Sequence, residues 1–228
     1  MARSRRDKTA EARPELLELL RKLSYREGRV LLASGKESDF FIDCKQTVLT
    51  ARGHQLVAEL VLDGIRHLHD LHAVAGVALG GCPLASAVSL TSALRGRSLH
   101  ALYVRKEAKD HGTRRLIEGP FRPGMRVVLL EDVITTGGST LQAIATLREA
   151  GVDVVAVAVL VDRLEGGVEA VRAAGVDVVA VAVLVDRLEG GVEAVRAAGV
   201  EVVTLYTRHD FIADEDDDFL STLADTRS

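Results

Sequence analysis

Five short runs of the chain are apolar at nearly every position: 73–79 (AVAGVAL), 99–104 (LHALYV), 125–131 (MRVVLLE), 153–161 (DVVAVAVLV) and 201–206 (EVVTLY). A strand with one face in water alternates apolar and polar residues, whereas a run without that alternation is buried on both faces. Stretches with helical spacing separate the runs. Strand, helix, strand, helix in that order predicts an α/β fold, a parallel sheet flanked by helices.

The fourth run belongs to a repeat. Residues 150–173 spell AGVDVVAVAVLVDRLEGGVEAVRA, residues 174–197 spell it again, and the identity extends until 150–176 equals 174–200. Each copy reads as a strand, a DRLEGG loop and a short helix, which is half of a crossover. Solenoids need three or more units to bury their faces, so two copies point to a tandem duplication, natural or engineered, inside an existing fold. The first copy follows directly from the preceding helix and is expected to sit beside the preceding strand. Seating the second copy instead would loop out an apolar-rich segment. The extra strand, 177–185, is expected to extend the sheet at its edge or displace 201–206.

A chain of 228 residues is long enough for one well-buried domain and short for two. The expected plan is a single domain with an N-terminal hood over about 1–48, a core over about 49–212 and an acidic tail over 213–228. In the hood a helix is expected near 14–23, followed by GRVLLASGKESDFFIDCK (28–45) as a hairpin or irregular cap. A helix over about 51–68 leads into the core. The tail's DEDDD (214–218) lacks the glycine-bearing pattern of a calcium loop and reads as a solvated segment.

Several classes of function are disfavoured. The longest apolar run, 154–161, is too short to span a bilayer, and Glu15 and Glu18 interrupt the stretch after the basic start, so neither a membrane partner nor a secretory signal is expected. Cys44 and Cys82 lie far apart with no metal-ligand spacing, which suggests free thiols in a reducing compartment, the cytoplasm. A net charge of −4, no Trp and 4% aromatics argue against a nucleic-acid partner. His67, His69 and His72 sit two and three apart, with no Cys among them, and are read as a polar helix end rather than a metal site.

VVLLEDVITTGGST (127–140) is the most informative stretch. A buried strand delivers Glu131 and Asp132, and a loop of Thr, Gly and Ser then opens a helix with Leu141, Ile144 and Leu147 on its inner face. Gly137 and Gly138 allow main-chain amides to approach an oxyanion, Thr135, Thr136, Ser139 and Thr140 offer hydroxyls, and the helix adds its positive end. No Lys follows the glycines as in a Walker loop, and the Gly-x-Gly spacing of a dinucleotide loop is missing. Acids that accept from hydroxyls, beside an anion loop, suit a sugar phosphate. The same spacing also describes a plain strand, Gly-rich turn and capped helix. A second local signal is RKEAKDHGTRR (105–115), which carries five Lys/Arg against Glu107 and Asp110 in an acidic chain and suggests a small polyanion.

The 127–140 stretch resembles the signature of the type I phosphoribosyltransferases. RKEAKDHG, SGKESDFFID (34–43) and DRLEGG resemble the catalytic loop, hood and post-strand loop of the orotate phosphoribosyltransferases. The resemblance spans about 20–212 and implies the type I fold. It implies transfer of ribose 5-phosphate from phosphoribosyl pyrophosphate (PRPP) to orotate, giving orotidine 5'-monophosphate and pyrophosphate, with Mg²⁺ bound through PRPP. By resemblance, Val133, Ile134, Thr135, Thr136, Gly137, Gly138 and Ser139 hold the 5-phosphate, and Glu131 and Asp132 hold the ribose hydroxyls. Arg105, Lys106, Lys109 and His111 contact pyrophosphate, some of them from a partner subunit, which implies a homodimer. Catalytic roles fall to Lys109 and Asp132, and orotate is contacted by Arg163 or, in the second copy, Arg187, with Arg163 expected. Breaking the C1–pyrophosphate bond builds positive charge on the ribose and negative charge on the leaving group, so cations at one end and carboxylates near the other are what the chemistry needs.

Two positions depart from the best-known members, Ala33 and Gly80 standing where lysines are common, and Lys45 is a possible substitute. A PRPP-sensing regulator on the same fold would usually lose the basic loop, which is intact here. A catalytically dead homologue or a purine-specific relative stays open at this point.

Overall fold

A computed structural model of the chain describes residues 5–31, 37–107, 115–162 and 166–180. Helix α1 (Arg5–Leu19) runs into a π-helical turn at Leu20–Ser24 and then into an antiparallel hairpin of β1 (Tyr25–Leu31) and β2 (Glu37–Ile42), the hairpin expected of the hood. The Thr47 hydroxyl, in the short helix α2 (Lys45–Val48), donates to the Leu19 carbonyl at 3.1 Å. Ser24 is therefore the donor in the buried 2.6 Å bond between the Ser24 and Thr47 hydroxyls. Helix α3 (Ala51–Gly64) begins at Thr50, whose hydroxyl accepts from the Gly53 amide at 3.1 Å, the usual work of a Thr N-cap.

Helix α3 ends earlier than the expected 68, so His67, His69 and His72 lie in the connection to the sheet rather than on a helix end. There the Arg126 amide donates to His72 Nδ1 at 3.1 Å, and the Arg126 guanidinium donates to the His69 carbonyl at 2.8 Å.

The main sheet contains β3 (Ala73–Val77), β4 (His100–Val104), β5 (Ile117–Glu118), β6 (Arg126–Ile134), β7 (Asp153–Asp162) and β8 (Asp177–Ala180) in the order β5-β4-β3-β6-β7-β8. All pairings are parallel except that of β5 with β4. Successive residues of the central strands serve opposite layers. Val74, Val128 and Leu130 pack with α1, α3 and α4 (Gly81–Leu94). Ala73, Ala75, Val127 and Leu129 pack with α5 (Gly138–Glu149) and α6 (Gly167–Ala173). Both faces are covered, which is why the runs carry no polar alternation.

From β3 the chain steps through α4 to β4 in one direction across the sheet, and from β6 through α5 to β7 in the other. The order reverses between β3 and β6, and a crevice forms beyond the C-terminal ends of strands at such a reversal. The copy beside β6 is the first one, paired from Arg126↔Asp153 to Ile134↔Asp162. β8, the beginning of the second copy, extends the sheet beside β7, with Val157 opposite Val178. The expected strand remainder at 181–185, the run at 201–206 and the acidic tail lie outside the described residues. Among the described residues no helix is long and apolar enough to cross a membrane.

Candidate functional site

The end of β6 builds the centre of the site. Val133 and Ile134 pack into the two core layers, so what they present to a ligand is main chain. The chain then turns through Thr135, Thr136 and Gly137, and Gly137 takes φ +81°, a left-handed conformation that suits glycine. Having no side chain, Gly137 cannot cap α5, and no side-chain hydrogen bond caps the amides that open this helix at its positive end. Around Gly138 no atom lies within 4 Å of where a β-carbon would sit, so a ligand can approach the main chain there. Thr135 and Ser139 are half-buried and Thr136 is exposed beside this opening. Thr140 corrects the sequence reading: it is buried, and its hydroxyl donates to Glu131 Oε2 at 3.1 Å, so it orients an acid instead of facing an anion.

Glu131 is only 6% exposed. Burial pushes its pKa from 4.5 up to about 8, the neighbouring Asp132 charge adds to the rise, and Thr140 and Lys106 oppose it. At neutral pH Glu131 therefore keeps its proton and can both donate and accept, which suits sugar hydroxyls. The Asp132 carboxylate lies against the α-carbon of Gly80, where a β-carbon would collide with it. The lysine absent at position 80 thus leaves space that Asp132 occupies. Lys45 is held by Asp43, with Nζ 2.6 Å from Oδ1, and this bond keeps the ammonium above its usual pKa, with Asp132 contributing.

The basic segment begins where β4 stops. The Arg105 amide donates to the Leu116 carbonyl at 2.8 Å, and Gln142 of α5 donates from Nε2 to the Lys106 carbonyl at 3.1 Å, tying the root of the segment to the helix that follows the turn at 135–137. Lys106 lies close enough to act on Glu131, and Arg105 close enough to act on the Cys82 thiol, whose pKa burial raises. The structure therefore gathers Arg105, Lys106, Glu131, Asp132 and the turn 135–139 at the C-terminal ends of β4 and β6. Lys109, His111, Arg163, Arg187 and Ala33 lie outside the described residues. The residue before Arg163, Asp162, ends β7 opposite Ile134.

Sequence reasoning missed Gln142, which looks like any exposed helix residue, and the inward turn of Thr140. The only signal for the latter was its place nine positions after Glu131, at the first turn of the following helix.

The phosphoribosyl transferase domain family matches residues 50–169. An orotate phosphoribosyltransferase of Sorangium cellulosum is 65% identical over 164 residues, covering 71% of this chain and 85% of that protein. Among solved structures, Mycobacterium tuberculosis H37Rv orotate phosphoribosyltransferase in complex with Fe(III) dicitrate is similar with a TM-score of 0.67 at 39% identity, covering 75% of this chain and 96% of that one. The same protein in complex with 5-phospho-alpha-D-ribosyl 1-diphosphate (PRPP) gives a TM-score of 0.64 at 36% identity, with the same coverage.

Proposed function

The chain belongs to the phosphoribosyl transferase family, in its orotate branch, and from that premise we propose how its residues share the transfer of ribose 5-phosphate from PRPP to orotate. The uncapped turn 135–139 holds the 5-phosphate through main-chain amides and the hydroxyls of Thr135, Thr136 and Ser139. Glu131, whose burial favours its protonated form, and Asp132 hold the ribose hydroxyls, and the Asp132 carboxylate stabilises the positive ring as the C1–pyrophosphate bond breaks. Arg105, Lys106, Lys109 and His111 take up the negative charge of the departing pyrophosphate, Lys109 as the catalytic cation. Orotate, held by Arg163, forms the new bond to C1 as pyrophosphate leaves.

One observation carries this reading: two adjacent acids, Glu131 and Asp132, end the strand beside a helix start that no side chain caps, at the reversal point of the sheet. Mg²⁺ would arrive with PRPP, with Asp132 the nearby carboxylate of this chain, and would add positive charge to the leaving group. A homodimer is supported by the outer side of α4, where Leu90 and Leu94 are 63% and 80% exposed. Sedimentation of a monomer at working concentration would remove it. The reading is of a single domain working in a reducing compartment, the cytoplasm, consistent with the free thiols of Cys44 and Cys82.

The test mixes the protein with PRPP, Mg²⁺ and either orotate or a purine base. Orotate is expected to be consumed only when all components are present, with pyrophosphate released in equal amount. Consumption of a purine instead would reassign the base, and PRPP binding without consumption of any base would leave a binding protein.

A further inference from the structure

We propose that Gly167, the first residue of α6, is a positioning residue that holds the phosphate turn in shape through main-chain contact; the proposal rests on the reading of 135–139 as the 5-phosphate site. A β-carbon on Gly167 would fall onto the Thr135 carbonyl oxygen, 2.7 Å from Ile134 Cγ1 and 2.9 Å from the Gly137 amide nitrogen. In the other direction, a β-carbon on Gly137 would lie 2.9 Å from the Gly167 carbonyl oxygen and 3.2 Å from its α-carbon. The start of α6 and the turn after β6 are thus pressed together backbone to backbone. Two of the three neighbours of Gly167 are main-chain atoms of the turn, and these can yield only by carrying the turn with them.

Local conformation gives no other reason for glycine here. Gly167 is outside the left-handed region, unlike Gly166 at φ +87°, and alanine is the better helix former. Only the close approach excludes a side chain. Gly167 also stands four residues after Arg163, so the loop assigned to orotate and the turn assigned to the ribose phosphate share one contact. The helix that carries this contact, α6, belongs to the first copy of the repeat.

The repeat supplies the control, because Gly191 holds the same place in the second copy. Steady-state kinetics on the full chain should show KM for PRPP raised about 10- to 100-fold by Gly167→Ala, with KM for orotate less affected. Gly191→Ala should leave both constants as in the wild type. A wild-type KM for PRPP in Gly167→Ala, or an equal loss in Gly191→Ala, overturns the proposal. If Gly167→Ala does not fold, Gly137→Ala crowds the same contact from the other side, its β-carbon 2.9 Å from the Gly167 carbonyl oxygen, and a wild-type KM for PRPP in that variant overturns the proposal. A folded wild type with no turnover contradicts the functional reading instead, and calorimetric PRPP binding then compares the same variants.

Discussion

The turns that follow β6 and β7 are built alike and used differently. Each places a glycine in the left-handed region, Gly137 at φ +81° and Gly166 at φ +87°, and each starts its helix on the next residue, also a glycine. In the first turn the helix-starting glycine, Gly138, faces open space; in the second, Gly167 is packed against the first turn. Hydroxyls and acids gather at the first, whereas the second meets the first through the backbone of Gly167. A Gly-Gly pair before a helix therefore does not define a ligand site by itself. What distinguishes the two is the space beside the second glycine and the chemistry of the strand end.

The largest effect that would sharpen this contrast concerns the segment after β7. Arg163→Ala should lower kcat/KM for orotate by about 100-fold or more, the loss expected when one partner of a desolvated charge pair is removed, whereas Arg187→Ala should stay within about twofold. Steady-state assays of the two variants decide it, and the reverse pattern would mean that the second copy faces the substrate.

A smaller effect belongs to the cradle's acid. Because the folded pKa of Glu131 is raised from 4.5 to about 8, the folded protein keeps a proton that the unfolded chain releases. The associated stability is complete below the unfolded value and is lost as pH rises through about 8. Thermal melts of the ligand-free wild type should fall across that window, and Glu131→Gln should flatten the fall. A parallel decline in the variant would assign the dependence to other groups.

The smallest effects compare the two left-handed glycines. Gly166→Ala should cost about 1 kcal/mol in denaturant melts and Gly137→Ala more, because its β-carbon also meets the Gly167 carbonyl oxygen, and only Gly137→Ala should also raise KM for PRPP. Equal kinetic effects would erase the distinction between the two turns.

Much of this was legible in the chain because it depends on local pattern. The apolar runs announced β3, β4, β6 and β7 within a few residues, and EDVITTGGST announced the turn that gathers the site. The identity of the copies, together with chain continuity, placed the first one beside β6. What stayed hidden depends on contacts across the fold. Thr140 looked like another anion-facing hydroxyl, and only burial shows it turned toward Glu131. The proton on Glu131 follows from desolvation, which no residue letter records. The press of Gly167 on Thr135 joins residues more than thirty positions apart in a motif whose glycines looked purely conformational. Helix α3 was drawn too long because HLHDLH continues a polar helical pattern, although Gly64 already ends the helix.

The most direct measurement is a calorimetric titration of Mg²⁺–PRPP into the wild type and into Gly138→Val, whose added side chain would fill the open space beside the turn. The wild type should bind, and the variant should lose about 100-fold in affinity while melting within a few degrees of it. Equal binding by the two proteins, or no binding by a folded wild type, would contradict the assignment of this turn as the phosphate cradle.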